Sequence, residues 1–76
     1  MNNATRNKID DLISRLENIK TEIEELASEE RDKFDNLPEG LQASERGSAM
    51  EAAADALDEA VTEIDDVTSA LETAKE

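Results

Sequence analysis

Apolar residues recur along this chain at alternating steps of three and four, first in one half and then in the other. The first series is Ile9, Leu12, Leu16, Ile19, Ile23 and Leu26, and the second is Met50, Ala53, Leu57, Ala60, Ile64, Val67, Leu71 and Ala74. This spacing is typical of a heptad seam along one face of a helix. Neither segment contains proline. The pattern therefore predicts two long helices.

The two seams match when the chain folds back on itself. Paired seam residues have numbers that sum to 79 or 80, as in Ile9 with Leu71 and Leu16 with Ile64. A constant sum is the mark of antiparallel pairing. We therefore predict an all-α fold, a coiled-coil-like antiparallel two-helix hairpin in a single domain over residues 1–76. The predicted parts are helix 1 over 5–36, a turn over 37–43 and helix 2 over 44–75.

The segment between the seams, FDNLPEGLQASERG, holds the only proline and both glycines. Pro38 disfavours helical geometry at the residue before it, so the first helix should end near Asn36. Leu37 to Gly40 suits a type I turn, with proline at the second position and glycine at the fourth.

Two serines are candidate N-caps for the second helix, Ser44 and Ser48, and we prefer Ser44. This choice places Gly47 inside the helix, where glycine costs about 1 kcal/mol relative to alanine. We expect the missing side chain to leave room for the ring of Phe34, which the predicted register places opposite.

A single hairpin of this size has a small core, and oligomerisation is a usual remedy. The chain has no cysteine and no histidine, so disulfides and the common zinc sites are excluded. Apolar residues also flank the seams, which makes the stripe wider than a two-helix contact needs. We expect Ile13, Phe34 and Val61 to form an interface that pairs two hairpins into a homodimeric four-helix bundle. A marginally stable monomer is the alternative.

The charge of the chain limits its partners. There are 21 acidic and 8 basic residues, giving a net charge of −13, which repels nucleic acid and anionic lipid surfaces. We expect no direct nucleic-acid binding and no membrane contact. The first residues contain no apolar run typical of a signal peptide, so we expect a protein of the cytoplasm.

Helix 2 carries most of the unbalanced charge. No basic residue lies between Arg46 and Lys75, and the few cations of helix 1 should leave this acidity largely uncompensated. Like charges four residues apart, such as Glu51 and Asp55, destabilise a helix. We therefore interpret the acidic side as a binding face for a protein with a basic surface, with nucleic-acid mimicry as one mechanism. Its candidate residues are Glu51, Asp55, Asp58, Glu59, Asp65 and Asp66. The simpler alternative is a solvated face that keeps a small bundle soluble.

Enzymatic chemistry has little support in the sequence. Without His or Cys the familiar triads cannot form, and no Gly-rich phosphate loop is present. Glu22-x-x-Glu25 and Glu63-x-x-Asp66 resemble the magnesium-binding carboxylate pairs of all-helical nucleotide pyrophosphohydrolases, but the predicted register keeps the two pairs apart. We expect a non-enzyme without metal or cofactor. The alternatives are a structural or assembly module and, with least support, a metal-dependent nucleotide hydrolase.

Residues 34–42 followed by Ser44-Glu45-Arg46 look like the turns of small uncharacterised proteins encoded by bacteriophages and prophages. The resemblance implies a helical hairpin that acts as a phage accessory protein and binds and inhibits a host nucleic-acid-binding or defence protein. The site of action would be the cytoplasm of a bacterial host. The resemblance is densest around three polar residues that the predicted turn does not require, so we expect them to contact a partner at the tip: Asn36, Gln42 and Arg46.

Overall fold

The computed structural model describes all 76 residues, Met1 to Glu76, and contains three helices. They are α1 (Asn3–Asp35), the single turn α2 (Glu39–Gln42) and α3 (Glu45–Ala74). The long helices α1 and α3 pack side by side, and the Cα positions span 58 × 15 × 11 Å. The all-α antiparallel hairpin is thus confirmed. No helix combines the length and the apolar character needed to cross a membrane.

Both ends of α1 follow from local hydrogen bonding. Asn2 is the N-cap, and its Oδ1 accepts a 2.8 Å hydrogen bond from the backbone N–H of Thr5. The helix therefore begins two residues before the predicted start. At the other end Asn36 is the C-cap, and its N–H donates to the carbonyl of Asp32. The end predicted near Asn36 agrees with this position.

The connection between the long helices contains a one-turn helix in place of the predicted type I turn. Pro38 is the N-cap of α2, and its carbonyl accepts hydrogen bonds from the N–H groups of Leu41 (2.8 Å) and Gln42 (3.1 Å). Proline is well tolerated at the start of a helix because the N–H that it lacks would have no helical partner there. Gly40 consequently lies inside α2 instead of closing a turn.

The start of α3 at Ser44 is confirmed. The Ser44 side chain accepts a hydrogen bond from the N–H of Gly47, and the Ser44 carbonyl accepts one from Ser48. The Ser44 side chain therefore satisfies one backbone donor that the first turn of a helix leaves unpaired, and its carbonyl accepts the first regular hydrogen bond of the helix.

The expected reason for Gly47 was wrong. The atoms nearest to a Cβ built on Gly47 belong to the backbone of Leu41 and Gln42, not to the ring of Phe34. The chain leaving α2 passes directly over the first turn of α3. Gly47 is required because the backbone approaches so closely.

The long helices face each other through a different stripe of residues from the predicted seam, as if each helix were turned about its own axis. The buried apolar side chains of the core are Ile9, Ile13 and Ala27 of α1 and Ala54 of α3. Four predicted seam residues lie outside it and are 42 to 49% exposed: Leu12, Ile19, Leu26 and Val67. Two helices can cover only one of the neighbouring apolar stripes. This rotation buries Ile13 and brings cations of α1 and α3 beside carboxylates of the other helix.

Candidate functional site

The six carboxylates predicted to bind a partner all lie on α3 and are exposed. They are Glu51, Asp55, Asp58, Glu59, Asp65 and Asp66. The structure divides them into two groups of three by whether a cation of α1 reaches them.

Arg31 neutralises two of these carboxylates from across the hairpin. Its Nη1 donates a 3.2 Å hydrogen bond to Oδ1 of Asp58, and its Nη2 donates to the second oxygen of the same carboxylate. Nη2 also lies 3.5 Å from Oδ1 of Asp55. The hydrogen bond to Asp58 raises the pKa of Arg31 above its ordinary value. A bidentate pair of this kind fixes the orientation of both side chains.

Lysines make two further contacts between the long helices. Nζ of Lys20 lies 2.8 Å from Oδ1 of Asp65, and this hydrogen bond raises the pKa of the lysine. Near the chain ends, Nζ of Lys75 lies 2.6 Å from Oδ1 of Asp10 and 3.3 Å from Glu72, which likewise raises its pKa. The expectation that helix 1 leaves the acidic face largely uncompensated is therefore wrong for Asp55, Asp58 and Asp65.

The other three predicted carboxylates have no cationic partner. Glu51, Glu59 and Asp66 form none of the ion pairs in the structure. Glu59 and Asp66 are seven residues apart, so they lie on the same side of α3, about 10.5 Å apart along its axis. Glu51 lies elsewhere on α3, and we call the aligned pair of Glu59 and Asp66 the free acidic row.

The three polar residues predicted at the tip have different roles. Nε2 of Gln42 donates hydrogen bonds of 3.2 Å to the carbonyls of Phe34 and Leu37, which lie at the end of α1 and just beyond it. Gln42 thus contributes to the fold, contrary to expectation, because it supplies a donor to the Leu37 carbonyl and a second donor to that of Phe34, which also accepts from the N–H of Leu37. Asn36 caps α1 through its backbone. The exposed side chain of Arg46 makes no hydrogen bond or ion pair within the chain, and a partner contact at the tip stays a prediction.

The residues predicted to form the oligomer interface lie between α1 and α3. Ile13 is only 6% exposed, and Phe34 and Val61 are half-buried. Their apolar surface is largely used inside one hairpin. The large apolar side chains left outside belong instead to the neighbouring stripe of Leu12, Ile19 and Leu26.

No group of three or more Asp or Glu side chains is arranged to hold a metal ion. The pairs Glu22 with Glu25 and Glu63 with Asp66 accordingly do not combine into one site.

Comparison with known protein families, with curated proteins and with solved structures gives no match to this chain.

Proposed function

We propose that this protein is a non-enzymatic, acidic protein-binding module, a phage accessory protein that binds and inhibits a host protein in the bacterial cytoplasm. The target would be a nucleic-acid-binding or defence protein with a basic surface. The observation that carries the proposal is the free acidic row. Glu59 and Asp66 are exposed on one side of α3, and no cation of the chain neutralises them.

The ion-paired carboxylates support this role indirectly. Asp58 and Asp65 are held by Arg31 and Lys20, so they tie α3 to α1 and keep the outer side of α3 at a fixed position. A row of charges on a rigid helix attracts a basic groove without first having to be ordered. Exposed carboxylates along a helix can also take the place of phosphate groups in a basic groove, which is how mimicry of nucleic acid would operate.

The test compares two double variants with the same chemistry. Glu59→Gln with Asp66→Asn removes the free acidic row from α3. Glu25→Gln with Asp32→Asn makes the same change on α1, where these two exposed and unpaired residues have the same spacing of seven. Each tagged protein is incubated with a bacterial lysate, washed at rising salt and challenged with DNA.

We expect the unchanged chain and the α1 variant to retain the same captured protein and the α3 variant to lose it. Capture should weaken steeply with salt, and DNA should displace the captured protein. Equal losses in both variants would show that only net charge matters and would contradict a specific face. Capture that resists salt and DNA would contradict the acidic-face proposal as a whole.

The exposed apolar residues favour a second candidate, a structural or assembly module. Leu12, Ile19 and Leu26 occupy one stripe of α1 at a spacing of seven and are each more than 40% exposed. A partner that binds there would be insensitive to salt, so the same washes distinguish the two candidates.

We also propose that the hairpin dimerises into a four-helix bundle. Only 5 of 76 residues are buried in the single chain. A chain of this size with so few buried residues gains stability by covering apolar surface with another subunit.

A further inference from the structure

We infer that the apolar stripe of Leu12, Ile19 and Leu26 is the contact surface for a second copy of this chain, with α1 packed antiparallel to α1 of the partner. The inference deepens the proposed dimer and rests on it. It also moves the expected interface away from Ile13, Phe34 and Val61.

The stripe extends over both helices. Leu26 lines a surface groove together with Ala53 and Ala56, so the apolar residues of α1 and the alanines of α3 lie on the same side of the hairpin. Ala60 and Val67 follow Ala53 at intervals of seven residues, so they lie on the same side of α3. Small side chains on α3 allow another helix to approach closely.

The charges beside the stripe identify its occupant. Lys8 and Arg15 flank Leu12, at positions four before it and three after it, and both line the surface groove that holds Leu12. Glu22 and Glu29 occupy the same two positions around Leu26. At these two positions the leucines have neighbours of opposite charge; Asp11 also lies in the groove of Leu12, 3.7 Å from Arg15, and Lys33 lies in the groove of Leu26.

A second copy of the chain can cover the apolar stripe and pair the charges at both of its ends. A two-fold axis through Ile19 places Leu12 against Leu26 of the partner subunit and Ile19 against its own equivalent. The same rotation brings the basic residues around Leu12 to the partner's acidic residues around Leu26. An isologous interface uses the same patch on both subunits. A patch that is basic at one end and acidic at the other is complementary to its own copy when the two are antiparallel. Lys8, Glu22 and Glu29 have no ion pair inside the chain, so these charges are available.

A different arrangement would turn the partner about the long axis of the hairpin, so that α1 packs on the partner's α3. Arg15 would then approach the partner's Glu63, whereas Glu22 and Glu29 would face the alanine-rich side of α3. This arrangement leaves half of the charge pattern without a partner.

Cysteine cross-linking distinguishes the two arrangements, and the natural chain contains no cysteine to interfere. Ile19→Cys places thiols at the proposed axis, where their separation suits a disulfide. Ser14→Cys is the control, because Ser14 is exposed on another side of α1. After oxidation with copper-phenanthroline, the first variant should become a covalent dimer and the second should stay uncross-linked. Sedimentation of the unchanged chain over a range of concentrations gives its mass in parallel.

Charge exchange tests the pairing itself. Glu22→Lys with Glu29→Lys lowers the net negative charge, so dimerisation would strengthen if general repulsion were decisive. The proposed pairing requires the opposite, a dimer weakened by at least about tenfold, since lysines would then face Lys8 and Arg15 of the partner. Adding Lys8→Glu and Arg15→Glu should restore the dimer.

A monomer at every concentration would overturn both the dimer and this inference, leaving the binding role of the free acidic row to its own test. A dimer that Ile19→Cys fails to cross-link, or that the first charge exchange strengthens, would overturn only the inferred arrangement. Circular dichroism at the same concentrations confirms that each variant is helical.

Discussion

Gly47 lies directly against the backbone at Gln42. A Cβ built on Gly47 would be 2.6 Å from the carbonyl carbon of Gln42 and 2.7 Å from the carbonyl oxygen of Leu41. Real Cβ atoms do not approach backbone atoms this closely, and a backbone segment cannot rotate away as a flexible side chain can. The path of the chain between α2 and α3 therefore depends on the absence of a side chain at this one position.

Gly47→Ala should destabilise the hairpin although alanine is the better helix former by about 1 kcal/mol. The clash with Gln42 must be relieved by moving the start of α3, and we expect a net loss of at least about 2 kcal/mol. Urea denaturation monitored by circular dichroism measures the change. Gly40→Ala is the matched control, because nothing lies within 4 Å of a Cβ there, and it should be neutral or stabilising. If Phe34→Ala rescued the Gly47 variant, the clash would lie with the ring and our assignment would be wrong.

Gln42→Glu should also destabilise the tip. The substitution keeps the size of the side chain but replaces the amide donor, so both hydrogen bonds from Gln42 are lost. The Leu37 carbonyl then has no partner, and the Phe34 carbonyl keeps only the bond from the N–H of Leu37. Two lost hydrogen bonds correspond to about 1 to 3 kcal/mol in the same denaturation experiment. Arg46→Gln changes an exposed tip residue without any hydrogen bond in the chain and should leave stability unchanged. A stable Gln42 variant would return this residue to the set of candidate partner contacts.

The periodicity of the sequence was sufficient to predict the hairpin, and the residue chemistry of Pro38 and Ser44 predicted the end of α1 and the start of α3, whereas the N-cap Asn2 was missed. Pro38 and Ser44 act locally, and their effects on the end of α1 and the start of α3 depend on nothing more distant than a helical turn. The rotation of the helices was not predictable in this way. Leu12 and Ile13 are adjacent apolar residues, and either could face α3, so the choice depends on packing along the whole contact.

The sequence shows that α3 is rich in carboxylates but does not show which of them are paired with cations. Which carboxylates remain unpaired depends on the rotation that brings Arg31 to Asp58 and Lys20 to Asp65. The close approach of Gln42 to Gly47 was likewise hidden, because it depends on α2 forming where a simpler turn was expected. These features follow from tertiary geometry, and no local pattern encodes them.

Stability should fall in alkaline solution because of Lys20. Its pKa is raised in the folded chain by the hydrogen bond to Asp65. The stabilisation is therefore fully present below the pKa of an unfolded-chain lysine, about 10.4, and is lost as pH rises through the raised value. Thermal melts between neutral pH and that region should show a smaller alkaline decrease for Lys20→Gln than for the unchanged chain. Lys33→Gln is the control, since Lys33 pairs only with Glu30 of its own helix. Identical pH profiles for all three proteins would show that the contact between Lys20 and Asp65 does not contribute in solution.

Salt should stabilise this protein, because repulsion among unpaired carboxylates outweighs the contacts that salt weakens. The net charge is −13, and only a few carboxylates have cationic partners on the other long helix. Raising ionic strength from about 0.01 M to about 0.1 M shortens the screening length from about 30 Å to about 10 Å, which reduces repulsion along the rod. We expect the melting temperature to rise over this range at fixed protein concentration. Lys20→Gln removes one attractive contact, so its melting temperature should rise more steeply. A melting temperature that falls with added salt would mean that the ion pairs of Arg31, Lys20 and Lys75 dominate the electrostatics of the fold.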